Sequence, residues 1–156
     1  MNDDFILNEH HKDEFPPAHT AEHLLNQLMT RMFGCERSRN AHIERKKSKI
    51  SYILDHKPSR QEEHEIERRM NELIEEDMPV SFEFVDRDHL PAEVKLDRLP
   101  DAASETLRLV RIGDYDVCPC IGKHVRSTSQ IGRFEMLGTN WDEQEHSFRI
   151  RFKVIQ

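Results

Sequence analysis

Between Pro16-Pro17 and Gly34 lies the segment that most restricts how this chain can fold. Proline is tolerated in a first helical turn and keeps the residue before it out of the helical region, while glycine supplies a left-handed stop. This punctuation predicts a helix over residues 18–33. At about 100° per residue, Ala21, Leu24, Leu25, Leu28 and Met32 gather into one apolar stripe. His19, His23, Asn26 and Thr30 leave from nearly the opposite side. The stripe must pack on something, and the two histidines, four residues apart, point away from that contact. Their side is either an ordinary solvated face, since polar i,i+4 pairs are common on helices, or is covered by a second piece of the protein that uses the ring nitrogens.

The rest of the chain supplies strands and one more helix. Phe148, Ile150, Phe152 and Val154 alternate with Arg149, Arg151 and Lys153, which predicts a strand with one apolar face. Val80, Phe82 and Phe84 alternate with Ser81 and Glu83 in the same way; Leu107, Leu109 and Ile112 suggest a strand ending at Gly113-Asp114, and residues 133–137 another. Between residues 35 and 56, Arg37, Arg39, Arg45, Lys46, Lys47 and Lys49 interleave with Ile43, Ile50, Tyr52 and Ile53, the pattern of a hairpin turning near Lys46-Lys47-Ser48. Ser59 and Glu62, just after Pro58, form a capping-box signature; Ile66, Met70, Leu73 and Ile74 continue it as a second helix to about Asp77, with His64 on its wet face. Residues 88–100 are polar and proline-bounded, a loop. Few connections are long enough for crossovers, so the expected class is α+β: a mainly antiparallel sheet with two main helices packed on it, in a single domain spanning residues 1–156.

Charge and cysteine usage narrow the functional classes. A net charge of -7 argues against broad, non-specific nucleic-acid binding, though not against a local basic patch. The cations between Arg37 and Lys49 read equally well as protection of an edge strand and as a phosphate-facing patch. No apolar run is long enough for a signal peptide or a membrane span, and the first residues are acidic, so a cytosolic location without membrane contact is expected. His10 and His11 read as part of a polar leader. Three cysteines, two of them at Cys118 and Cys120, do not make a disulfide framework; they are metal ligands or plain thiols, and Cys35 has only a structural reading.

A turn-rich segment at residues 116–125 carries Cys120 and His124 four positions apart. Joined to His19 and His23, they would offer three imidazole nitrogens and one thiolate, a set that suits tetrahedral zinc, borderline-soft and redox-inert. The site would lie between the first helix and this late turn. On these residues alone, a zinc site and a coincidence of spacing stand about even.

The details of sequence go further. His-Thr-Ala-Glu-His-Leu-Leu at residues 19–25, Cys-Ile-Gly-Lys-His-Val at 120–125 and Thr-Ser-Gln-Ile-Gly-Arg-Phe at 128–134 closely resemble the editing domain of alanyl-tRNA synthetase and its free-standing relatives, the AlaX proteins. The same domain occurs as the second additional domain of threonyl-tRNA synthetases. The resemblance implies zinc bound by His19, His23, Cys120 and His124, and a role for Thr20 in reading the hydroxyl of a mischarged seryl group. It implies hydrolysis of the ester between a wrong amino acid and the acceptor end of transfer RNA by water attack on the carbonyl, with Ser- or Gly-tRNA(Ala) as the expected substrates. With no counterpart of an added N-terminal barrel or an ATP-binding core, the chain resembles the short free-standing type. It departs from the family pattern at Ser129, where glycine is usual, and at Cys118, a thiol beside the proposed ligands. Cys118 is a spectator, a supporting group or a competing ligand. The alternative to an enzyme is a zinc-stabilised module of the same fold that recognises tRNA or a protein without hydrolysis, and a further one is a hydrolase of other aminoacyl esters.

Overall fold

A computed structural model describes residues 14–92, 94 and 106–156; His10, His11 and most of the loop expected at residues 88–100 lie outside them. Helix α1 (Pro16–Phe33) begins two residues earlier than the sequence pattern suggests, because both prolines sit inside its first turn, where a missing N–H is harmless. It ends where expected: Gly34, at φ 70°, turns left-handed and donates its N–H to Thr30 O. The second helix, α2 (Arg60–Glu75), carries the full capping box, with Glu62 N–H donating to Ser59 Oγ at 3.1 Å and Ser59 N–H donating to Glu62 Oε1 at 2.8 Å. Ile66, Met70, Leu73 and Ile74 are its buried residues.

The strands are antiparallel throughout but divide into two sheets. One is four-stranded, in the order β1 (Asn40–His42), β2 (Ser48–Ile53), β7 (Ser147–Ile155), β6 (Arg133–Asp142). Its β1–β2 pair is the hairpin expected around Lys46-Lys47-Ser48, and β7 buries Phe148, Ile150, Phe152 and Val154 while turning its cations away. Strand β6 runs five residues past its expected end, and its register shifts between Met136 and Gly138.

The other sheet is three-stranded: β3 (Val80–Asp86), β4 (Thr106–Ile112) and β5 (Asp116–Pro119). Here the sequence reading needs correcting. Residues 116–119 are a strand, not part of a turn, and the turn starts at Cys120. As an edge strand β5 tolerates Pro119, whose missing N–H is not needed by a further neighbour.

Both helices and both sheets contribute to one core, in which Leu24, Leu25, Met29, Ile50, Tyr52, Ile66, Met70, Ile112, Phe134, Phe148 and Phe152 are fully buried. Helix α1 touches β7 on one hand and β5 on the other. It is therefore covered on both sides, and its polar face is not solvated. Among the described residues no helix is long and apolar enough to cross a membrane.

Candidate metal centre

The first two turns of α1 present His19 and His23 to the segment that leaves β5. Cys120 and His124 come down over them from that segment. The four donor atoms all lie within 4.8 Å of one another. Cys120 Sγ stands 3.5 Å from His19 Nε2, across 101 residues of sequence. The His19 and His124 rings stack at 4.3 Å between centroids, and His23 meets His124 edge-on at 4.5 Å. His19 and His23 are 8% and 5% exposed, which settles the ambiguity of the helix: its histidine side is an interior surface.

Two of the three rings are hydrogen-bonded from behind, and the third has a carboxylate near it. His19 Nδ1 donates to Lys123 O at 3.1 Å; because a carbonyl only accepts, this leaves Nε2 with its lone pair toward the sulfur. The Glu14 carboxylate stands 3.2 Å from the same Nδ1. Thr20 Oγ1 lies 2.9 Å from His124 Nδ1 and accepts the Val125 N–H at 3.2 Å, so one buried hydroxyl ties the helix to the segment that covers it. Behind His23, the Asp116 carboxylate lies 3.9 Å from Nδ1. Asp116 is in turn clamped by Arg37, through NH1 at 2.7 Å and NH2 at 3.2 Å, and by Gln27 at 2.9 Å.

The turn itself is shaped for close approach. A Cβ on Gly122 would run into the His19 ring and the Glu14 carboxylate, so only glycine lets Cys120 and His124 reach the helix. Arg108 on β4 fixes the turn by donating to Cys120 O at 2.7 Å and to Gly122 O. Burial pushes the Cys120 thiol up to about 12, so sulfur here keeps its proton unless a cation replaces it. Three imidazoles and one such sulfur, compact and oriented by hydrogen bonds, are a donor set that fits a zinc ion.

The structure thus brings together His19, His23, Cys120 and His124, with Thr20 directly behind His124. Cys118 is outside the group; its thiol donates to Pro119 O at 3.5 Å, and it lines a separate cleft of about 470 Å³ with Cys35, Arg37 and Tyr115. The Thr128-to-Gly132 stretch supports the fold: Thr128 Oγ1 donates toward the Leu73 and Ile74 carbonyls at the end of α2 and accepts the Met78 N–H. Ser129 donates its N–H to Asp77 Oδ1 at 3.3 Å. The glycine this stretch requires is Gly132, at φ 94°, where a Cβ would collide with Ile155 O. Asp116 and Arg108 are supports that no sequence motif marks, and Arg37, which the run of cations places in a surface patch, is instead paired with Asp116. The available signal was an aspartate beginning an otherwise apolar strand, a residue that needs a cation if it is buried.

Comparison with known proteins covers the late motif and most of the chain. Residues 107–150 match the sequence pattern of the threonyl and alanyl tRNA synthetase second additional domain. The alanyl-tRNA editing protein AlaX-L of Pyrococcus horikoshii is 32% identical over 136 residues, 86% of this chain and 32% of that protein. Alanine–tRNA ligase of Methanococcus maripaludis is 29% identical over 136 residues, 85% of this chain and 15% of the ligase, and that of Treponema denticola 25% identical over 125 residues, 80% and 21%. The chain spans about a third of the AlaX-L protein and a smaller share of either ligase.

Proposed function

The chain belongs to the family of alanyl-tRNA synthetase editing domains and their AlaX relatives, and from that premise we propose that it is a zinc-dependent hydrolase that deacylates mischarged tRNA in trans. The substrates are seryl- or glycyl-tRNA(Ala), and the products are the free amino acid and a deacylated acceptor end. One observation carries the reading: the donors of two motifs far apart in sequence converge within 4.8 Å at the buried end of a helix.

His19, His23, Cys120 and His124 would hold the ion. Bound there, zinc supplies Lewis acidity toward an ester carbonyl and toward water. The protein's own part is orientation. Lys123 O and Thr20 fix the rings of His19 and His124, the Asp116 carboxylate stands beside His23, and the Gly122 turn keeps the thiol and His124 pressed onto the helix. An aminoacyl ester is already activated, so positioning can supply much of the rate. Thr20 serves discrimination: when His124 Nδ1 donates to its oxygen alongside the Val125 N–H, its own O–H proton is left to meet a seryl hydroxyl.

The test is deacylation by the zinc-loaded protein of seryl-, glycyl- and alanyl-tRNA(Ala), with release of serine or glycine and sparing of alanine expected. Stoichiometric zinc with no ester cleavage would overturn it. A second reading, a zinc-stabilised binding module, is favoured by the donor count, because four protein ligands close a tetrahedral site, whereas catalytic zinc usually keeps a position open. Cys120→Ala separates them: an editing site loses mainly activity, a structural site mainly thermal stability.

A further inference from the structure

The sheet that covers the histidines continues past them and ends in aromatic rings that little of the described protein covers. Phe82 faces Val110 across β3 and β4, and Phe84 faces Arg108, so these side chains share one face. The turn that follows β5 brings Cys120 beside Arg108, its N–H donating to Arg108 O at 3.1 Å. Val110 is fully buried, but Phe82 is 45% exposed and Phe84 72%. A single exposed aromatic has no meaning by itself. Phe82 has two further properties. Its centroid is 6.3 Å from that of the ligand His124, and the Arg108 guanidinium lies 4.4 Å from the centre of its ring. Arg108 is the residue that clamps the carbonyls of Cys120 and Gly122. The ring is thus fixed to the turn that carries two of the four metal donors.

The charge around it favours a polyanion. In a chain of net charge -7, residues 121–126 contain Lys123 and Arg126, both exposed, and no carboxylate of their own, while the Glu14 carboxylate that reaches this turn is engaged by the Lys123 N–H at 3.0 Å and lies 3.2 Å from His19 Nδ1. The nearby acid Glu83 pairs with Arg111 at 2.9 Å. An ester held at the metal centre is attached to a ribose, and the base on that ribose must lie within one nucleotide of His124. A ring with a cation over it, beside a basic loop, is a stacking surface for such a base, and stacking tolerates any base identity.

Resting on the editing function proposed above, we propose that Phe82, backed by Arg108, is the platform on which the terminal base of the aminoacylated strand stacks. The experiment measures affinity of the zinc-loaded protein for two non-hydrolysable amides: serine joined to 3′-amino-3′-deoxyadenosine, and serine joined to the same aminosugar without a base. The wild-type protein should prefer the first. Phe82→Ala should weaken the adenosine compound about five- to a hundredfold and leave the base-free one unchanged, while Phe82→Trp retains affinity for both. Phe82→Leu, apolar but without a π-face, should behave like alanine and serves if alanine fails to fold. Equal loss on both compounds, no loss on either, or no wild-type preference overturns the platform. Cleavage of mischarged tRNA by the same wild-type preparation separates the two ideas. Cleavage without base preference removes the platform alone, whereas base preference without cleavage removes the editing reading alone.

Discussion

Helix α1 is buried on two sides that are held in place by different physics. On one, Ala21, Leu24, Leu25 and Leu28 are at most 3% exposed and join Ile150 and Phe152 in the core. On the other, His19, Thr20, His23 and Asn26 are at most 8% exposed, yet every one is polar. The apolar side gains from area removed from water, which is non-directional and tolerates swaps of similar volume. The polar side gains little from area, because an imidazole or hydroxyl taken from water must be met by a partner in the right place. It is met for three of the four by a hydrogen bond: Lys123 O for His19, Val125 N–H for Thr20, and Tyr52 O–H, at 2.8 Å, for Asn26; beside His23 the Asp116 carboxylate stands at 3.9 Å. An uninterrupted leucine helix would bury the same surface with no partners to align, so the presence of this polar set points to chemistry rather than stability.

That contrast is broken first at His23. His23→Ala should lower ester cleavage by more than about a hundredfold and weaken zinc binding, since one of the four donors that surround the ion is gone and the remaining three are no longer arranged as before. Zinc should raise the melting temperature of the wild-type protein, by linkage, and not that of the variant. If the metal-free variant is as destabilised as a core mutant, the polar side is structural and the contrast fails.

Leu25→Ala is the complementary change. Loss of a fully buried leucine should cost about 2–5 kcal/mol in urea unfolding. The variant that still folds should bind zinc stoichiometrically and cleave at nearly the wild-type rate. A large loss of zinc with little loss of stability would show that the two sides are coupled through the helix.

A smaller effect is expected behind the ligands. Asp116→Asn keeps the shape beside His23 and removes the charge, with Arg37 left against a neutral amide. Zinc affinity, measured by competition with a chelator, should fall about 10–100-fold. Unchanged affinity would mean that the 3.9 Å between Asp116 and His23 is proximity without function.

The two sides also differ in how legible they were. Local periodicity carried the apolar side: a 3.6-residue stripe, a proline start and a glycine stop place α1, the Ser59–Glu62 box places α2, and strict alternation places β7. These signals depend on neighbours in sequence. The four donors were legible through their motifs, but burial of the histidine side was not, because its cover comes from β5 and the turn after it. The split into two sheets was hidden for the same reason, since an alternating strand does not state which edge it pairs with. Phe82 shows the limit plainly: alternation with Val80 predicts one shared apolar face, yet only Val80, at the start of the strand where its N–H donates to Arg126 O, is buried, and Phe82 and Phe84 further along the same edge strand are exposed.

The smallest effect sharpens the contrast most, because Thr20 is polar, fully buried and not itself a donor in the cluster. Thr20→Val keeps the branched shape and removes the hydroxyl, leaving His124 Nδ1 and the Val125 N–H without that oxygen. A lost buried hydrogen bond costs about 1–3 kcal/mol, so activity should drop roughly tenfold. The informative quantity is the ratio of seryl to glycyl deacylation. If Thr20 reads the substrate hydroxyl, the ratio falls, since a glycyl group has no hydroxyl to lose, and Thr20→Ser restores it. If Thr20 acts only by holding His124, both substrates slow together, zinc affinity falls with them, and serine rescues both equally. The first result makes the polar side of α1 a recognition surface as well as a metal-binding one. The second makes Thr20 the counterpart for His124 of what Asp116 is for His23.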